Sequence, residues 1–229
     1  MNPLLQIPTT NDSTLVVTEK TLSVIELITS GGLGGGLVMG SLGILSVFAI
    51  YILIERFSVI KKASIKDENF LKSIRNFVEA KDIQAAKTLC RNADSPISRM
   101  IEKGVNRIDK PMTDISAAIE NQGKLEVFKM ENNLANLATI SGAAPMIGFL
   151  GTVIGMIVAF HEMASAGGNI DVEMLSKGIY MAMTTTVAGL IVGIIAFIAY
   201  NYLVSKVDKV VFMLEAKTTE FLDVLHHNE

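Results

Sequence analysis

The sequence predicts an all-α integral membrane protein. Three transmembrane helices are expected, the second and third prolonged into the cytoplasm as long helices. Three observations predict it. Half of the 229 residues are hydrophobic (50%) and only 19% are charged, with a mean hydropathy of +0.44, too apolar for an ordinary soluble domain. The excess is concentrated in charge-free runs at 27–54, 132–160 and 178–205, each longer than the roughly 20 apolar residues that cross a bilayer. Outside these runs the apolar residues recur at helical spacing.

Residues 1–30 form the segment before the first span. No basic start followed by a short apolar stretch and a small-residue cleavage site is present, so no cleavable signal peptide is expected. The stretch "TEKTLSVIELITS" (18–30) places Leu22, Ile25 and Ile28 on one face, which predicts an amphipathic helix lying at the outer membrane surface. The first span is placed at 31–56. Its opening "GGLGGG" (31–36) allows a bend or close packing. These glycines lack the preceding strand and following Lys-Ser/Thr of a phosphate loop.

The segment 57–131 reads as cytoplasmic helices. Asp82 is placed to cap "IQAAKTLCRN", and Ser95-Pro96 supplies a cap followed by proline at the first helical position. Asp109-Lys110-Pro111 marks a further break and restart. From Met112 nothing stops a helix before Pro145, so one helix about 75 Å long is expected to run from the cytoplasm into the membrane. Cys90, the single cysteine, is read as a small buried hydrophobe and excludes an intrachain disulfide.

The second span is placed at 132–160, a short periplasmic loop at 161–177, the third span at 178–205 and a cytoplasmic helical tail at 206–229. In the tail Val207, Val211, Leu214, Thr218, Phe221 and Leu225 follow coiled-coil-like spacing. That stripe suits packing on the chain's own second long helix, between subunits, or both. His226 and His227 have no further ligands near them in sequence, so no metal site is expected there.

Orientation follows from Lys and Arg near the helix ends. Arg56, Lys61, Lys62 and Lys66 follow the first span, Lys124 and Lys129 precede the second, and Lys206 and Lys209 follow the third; the segments 1–26 and 161–177 hold one Lys each. The N-terminus is therefore expected in the periplasm, and the middle segment and C-terminal tail in the cytoplasm. The net charge of −3, with no long basic block, gives no reason to expect nucleic acid as a partner.

The spans are rich in small residues and hydroxyls. The second carries Pro145, Gly148, Gly151, Thr152, Gly155 and Ala159; the third carries Ala182, Thr185, Gly189, Gly193 and Ala196. Small residues three to four apart let membrane helices approach closely. Thr184, Thr185 and Thr186 stand in a row and point about 100° apart. A membrane threonine ordinarily bonds its own helix, yet three in a row cannot all face lipid cheaply. No Asp, Glu, Lys, Arg or His lies inside the charge-free runs 27–54, 132–160 and 178–205. An ion path ordinarily carries an ionisable group, so another chain would have to supply it. No nucleophile–base pair or ligand cluster suggests an enzyme, and no cofactor is expected.

These two spans resemble the core helices of the MotA/TolQ/ExbB proton-channel family. The resemblance rests on "APMIGFLGTVIGM" (144–156), the Gly-Ile opening of the third span, its Thr186 followed three residues later by Gly189, and its closing Ala-Tyr-Asn. It covers roughly residues 20–225. Three spans are similar to ExbB and TolQ rather than to four-span MotA. The resemblance implies a homopentamer in the bacterial inner membrane, surrounding an ExbD- or TolR-like single-span partner whose membrane Asp carries the proton. It implies pore-facing roles for Thr152 and Thr186, with Thr185 as an added oxygen, and TonB-linked outer-membrane transport as the output. A TolQ-like role in outer-membrane integrity and a non-conducting helical scaffold are the alternatives. Two positions depart from the pattern: Met181 stands where many relatives have Glu, and Ile195 where many have Pro. Neutral oxygens suit Na⁺ as well as a proton wire; the resemblance favours the proton.

Overall fold

The computed structural model describes residues 32–64, 68–165 and 172–226. The amphipathic segment expected at 18–30 lies outside the described residues, as does His227. The described elements are all α-helical: α1 (Gly32–Ala63), α2 (Glu68–Glu79), α3 (Ile83–Ala93), α4 (Pro96–Val105), α5 (Met112–Glu131), α6 (Leu134–Ser165) and α7 (Val172–His226). Three helical stretches, Gly34–Ala63, Met112–Ser165 and Leu175–His226, are long and apolar enough to cross a membrane.

The short helices begin where their caps dictate. Asp82 accepts the Ala85 amide at 3.0 Å. Ser95 and Ser98 form a reciprocal capping box, with Pro96 at the first position of α4, so two orphan amides find partners. Amphipathic α2, α3 and α4 then fold their apolar faces onto the parts of the long helices that extend beyond the apolar spans. The resulting core includes Ile74, Ile101, Ile119, Leu137, Leu203, Val207 and Phe221. Gly104 makes a close approach within this core: a Cβ there would lie 2.7 Å from Ile119 Cδ1 and 3.0 Å from Phe221 Cε1. Cys90 is buried, and burial pushes its thiol up to about 12 with help from the Glu102 charge. The α7 stripe packs inward: Val207, Leu214, Phe221 and Leu225 are all buried within the chain.

Two expectations are corrected. The helix from Met112 is interrupted before Pro145, because Asn132 turns extended (ψ 138°) and Asn133 adopts φ 63°. Asparagine tolerates that left-handed conformation better than most residues. The break leaves α5 with C-terminal carbonyls that lack amide partners; Arg56 of α1 donates to one of them, Lys129 O, at 2.9 Å. Secondly, the helices run past the apolar spans, so residues 161–165 and 172–177 of the expected loop are helical. A charge does not by itself stop a helix, so Glu162 does not mark a helix end. As expected of a proline inside the second span, α6 runs through Pro145.

A charged knot joins α4 to α5. Arg99 donates to both Glu126 oxygens (3.0 and 2.7 Å), and Gln122 and Lys129 also donate to Glu126. Burial alone raises the Glu126 carboxyl, but the Arg99 and Lys129 bonds and charges outweigh it and hold the group below its usual value. The membrane end is sparsely buried by contrast. Only 22–28% of the residues in each apolar window are buried within the chain, which leaves most of that surface for lipid or other subunits.

Candidate ion pathway

Helices α6 and α7 share the largest contact in the molecule, and small residues make it possible. A Cβ on Gly189 would fall 2.6 Å from the Ala144 carbonyl oxygen and 2.9 Å from Gly148 Cα; one on Gly148 would meet Thr185 O at 2.8 Å. Both clashes are with backbone, which cannot step aside. Further along, Gly155 faces Ala182 and Gly178 faces Ala159. At the other end Gly193 lies under the Pro145 ring and close to Ser141 O. Pro145 has no amide to offer that carbonyl. Every packing residue expected from sequence (Pro145, Gly148, Gly151, Gly155, Gly189, Gly193) lies on this seam. The Gly178–Ala159 contact was missed because Gly178 reads as the start of the span.

Helix α1 covers one side of the seam. Gly34 approaches Ile154, Gly35 approaches the Met181 sulfur, and Val38 packs beside Gly151. Val38, Leu42 and Ala144 form a small core with Ile147, Ile154, Ala188 and Val192 around it. Met181 therefore seats its thioether against Gly35 of α1.

The threonines separate by direction. Thr185 is buried in the seam (2% exposed), and its hydroxyl reaches Ala182 O at 2.8 Å and Gly148 O at 3.3 Å. Thr186 donates across the seam to the same Gly148 carbonyl at 3.1 Å. Thr152 donates to Phe149 O and Thr184 to Tyr180 O, each within its own helix. With a step of 100° per residue, Thr152 and Thr186 both fall about 60° past the seam, on the side away from α1, and Thr184 falls on the α1 side. Thr152 and Thr186 are half-buried. The Gly148 carbonyl is also the i−4 acceptor for the Thr152 amide, so the Thr186 hydroxyl sits beside the turn that carries Thr152. Around them the face is apolar and exposed, with Phe149, Met156, Met183 and Leu190.

Sequence reasoning missed the Gly148 carbonyl, since a backbone acceptor leaves no residue-type signal. Its polarity matters: a carbonyl only accepts, so the Thr152 and Thr186 hydroxyl protons are committed to the backbone. What these side chains offer outward is oxygen lone pairs.

Three apolar spans, two of them joined through small residues with neutral oxygens on one open flank, define a three-span membrane helix bundle. The chain belongs to the MotA/TolQ/ExbB proton channel family, whose sequence profile matches residues 92–216. It is similar to a putative biopolymer transport protein ExbB homolog of Methanothermobacter thermautotrophicus, with 26% identity over 194 residues, covering 84% of this chain and 67% of that one. It is similar to the biopolymer transport protein exbB1 of Vibrio cholerae, 28% identical over 189 residues, covering 79% and 80%. A shorter match to the biopolymer transport protein ExbB of Helicobacter pylori J99 is 40% identical over 79 residues, covering 34% and 54%.

Proposed function

We propose that this chain is the ion-conducting subunit of an ExbB-like energising complex of the bacterial inner membrane. Its N-terminus is periplasmic and its C-terminus cytoplasmic, in keeping with the Lys and Arg count at the helix ends. Five copies surround an ExbD-like single-span partner, and ion flow down the proton gradient drives a TonB-like protein that powers outer-membrane transport. The observation that carries this reading is the shared placement of Thr152 and Thr186 on the one flank of the α6–α7 seam that α1 leaves uncovered.

The chemistry is neutral and acceptor-only. These oxygens favour a hydrogen-bond donor or a cation: a protonated carboxyl on the partner, a hydrated proton or Na⁺. They offer no proton to a bare carboxylate. The threonines therefore stabilise the ion-loaded partner over the empty one. Thr185 holds the seam, and the exposed apolar face around the pathway packs on the partner and neighbouring subunits.

The test is complementation of a strain lacking its own ExbB-type subunit, with the cognate partner co-expressed. Thr152→Val keeps the shape and deletes the hydroxyl, so it abolishes energised uptake while the complex still assembles. Uptake at the wild-type rate would remove Thr152 from the pathway.

A further inference from the structure

A second feature lies at the other end of the bundle, where α1 and α7 leave the apolar region side by side. Their sequences change in step. Phe57 on α1 stacks on Tyr202 of α7, with ring centroids 6.4 Å apart. One helical turn on, Lys61 follows Phe57 and Lys206 follows Tyr202, with Lys209 a further turn along α7. The Lys206 ammonium lies 5.4 Å from the centre of the Tyr202 ring. Together these residues line a cleft of about 290 Å³ with Ser64 at its edge. Its floor is the buried pair Ile60 and Leu203.

An aromatic pair alone marks only the depth of a membrane interface. The cleft goes further. Three lysines line it and no carboxylate does. None of the three lysines appears in an ion pair among the described residues. Three like charges around one concavity repel one another, and an anion bound between them relieves that repulsion. The half-exposed Phe57 and Tyr202 rings line the cleft one helical turn nearer the apolar spans than Lys61 and Lys206. Its occupant therefore needs an anionic head and a hydrocarbon body.

We propose that the Lys61–Lys206–Lys209 cleft binds the headgroup of an anionic phospholipid. The phosphate sits among the three ammonium groups with the Ser64 hydroxyl as a further donor, and the acyl chains pass the Phe57–Tyr202 pair. A zwitterionic headgroup brings its own cation into the cleft and is disfavoured. Basic pockets between transmembrane helices recognise anionic headgroups in this way. The assignment stands on this helix pair and does not depend on ion conduction.

The test is native mass spectrometry of the full-length protein, released from membranes containing equal amounts of phosphatidylglycerol and phosphatidylcholine. The wild type retains phosphatidylglycerol selectively. The combined Lys61→Gln, Lys206→Gln, Lys209→Gln variant loses that retention by on the order of tenfold or more, from the attraction of three lysines. The corresponding Lys→Arg variant keeps it, as does a control carrying Lys72→Gln, Lys103→Gln and Lys110→Gln. If the triple Gln variant does not fold, each single Gln substitution lowers retention severalfold. Equal retention by the wild type and the Gln variants overturns the site, and equal retention of the two lipids overturns its charge selectivity. Displacement by glycerol phosphate at equal concentration makes it a site for free phosphate and overturns the lipid assignment.

Discussion

Thr186 and Thr184 are two residues apart and have opposite surroundings. Thr186 donates across the seam to Gly148 on the flank that α1 leaves open, while Thr184 bonds its own helix on the α1 side. Ion flux through the assembled complex should therefore fall roughly tenfold or more in Thr186→Val, the usual scale for losing a placed polar group at a site of charge transfer. It should survive in Thr186→Ser and change little in Thr184→Val; equal losses at both positions would make the row a packing feature. Helical periodicity alone could not rank the three threonines; only the family resemblance singled out Thr186. Their direction depends on which face α1 occupies, and that is set by the Gly34, Gly35 and Val38 contacts.

At the scale of elements, the α6–α7 seam and the α4–α5 knot make separate demands. Gly189→Ala puts a methyl group against the Ala144 carbonyl and the Gly148 backbone. Overpacking of this kind costs about 1–3 kcal/mol; the complex should lose thermal stability, read by scanning fluorimetry in detergent, and Gly36→Ala, with open space around it, should not. Arg99→Ala leaves the buried Glu126 with only Gln122 and Lys129. Losing charge-assisted bonds to that carboxylate should cost about 1.5–3 kcal/mol. Because the folded-state carboxyl is held low, its contribution is complete above the ordinary glutamate value near 4.3 and disappears as pH falls below it. Chemical unfolding of wild type and Arg99→Ala should therefore converge in acid, and a constant gap down to strongly acid pH would assign the loss to packing. The caps at Asp82 and Ser95 were legible in sequence because capping is local. The α5–α6 break was not: Asn132-Asn133 sits inside a charge-free run, and the Arg56 contact that completes it comes from 73 residues away.

For the whole molecule, the apolar runs announced three spans and the small-residue spacing announced that two of them pack closely. Both follow from the bilayer as a solvent, which constrains composition directly. The flank assigned to the proposed pathway follows instead from contacts among three helices, and no single periodicity encodes it. The exposed apolar face around Thr152 and Thr186 needs a cover, and we expect five copies of the chain around a partner helix. Native mass spectrometry of the detergent-purified complex should give five copies; a stable monomer or dimer would count heavily against the assembly. The central claim is that this chain conducts protons through a path lined by neutral oxygens. Its most direct test is acidification inside proteoliposomes that hold the chain with its partner, under an inward proton gradient and without sodium. Proton influx that persists there, falls in Thr186→Val and is indifferent to added sodium is the predicted result. Influx absent without sodium, and sodium uptake restored on its addition, would contradict it.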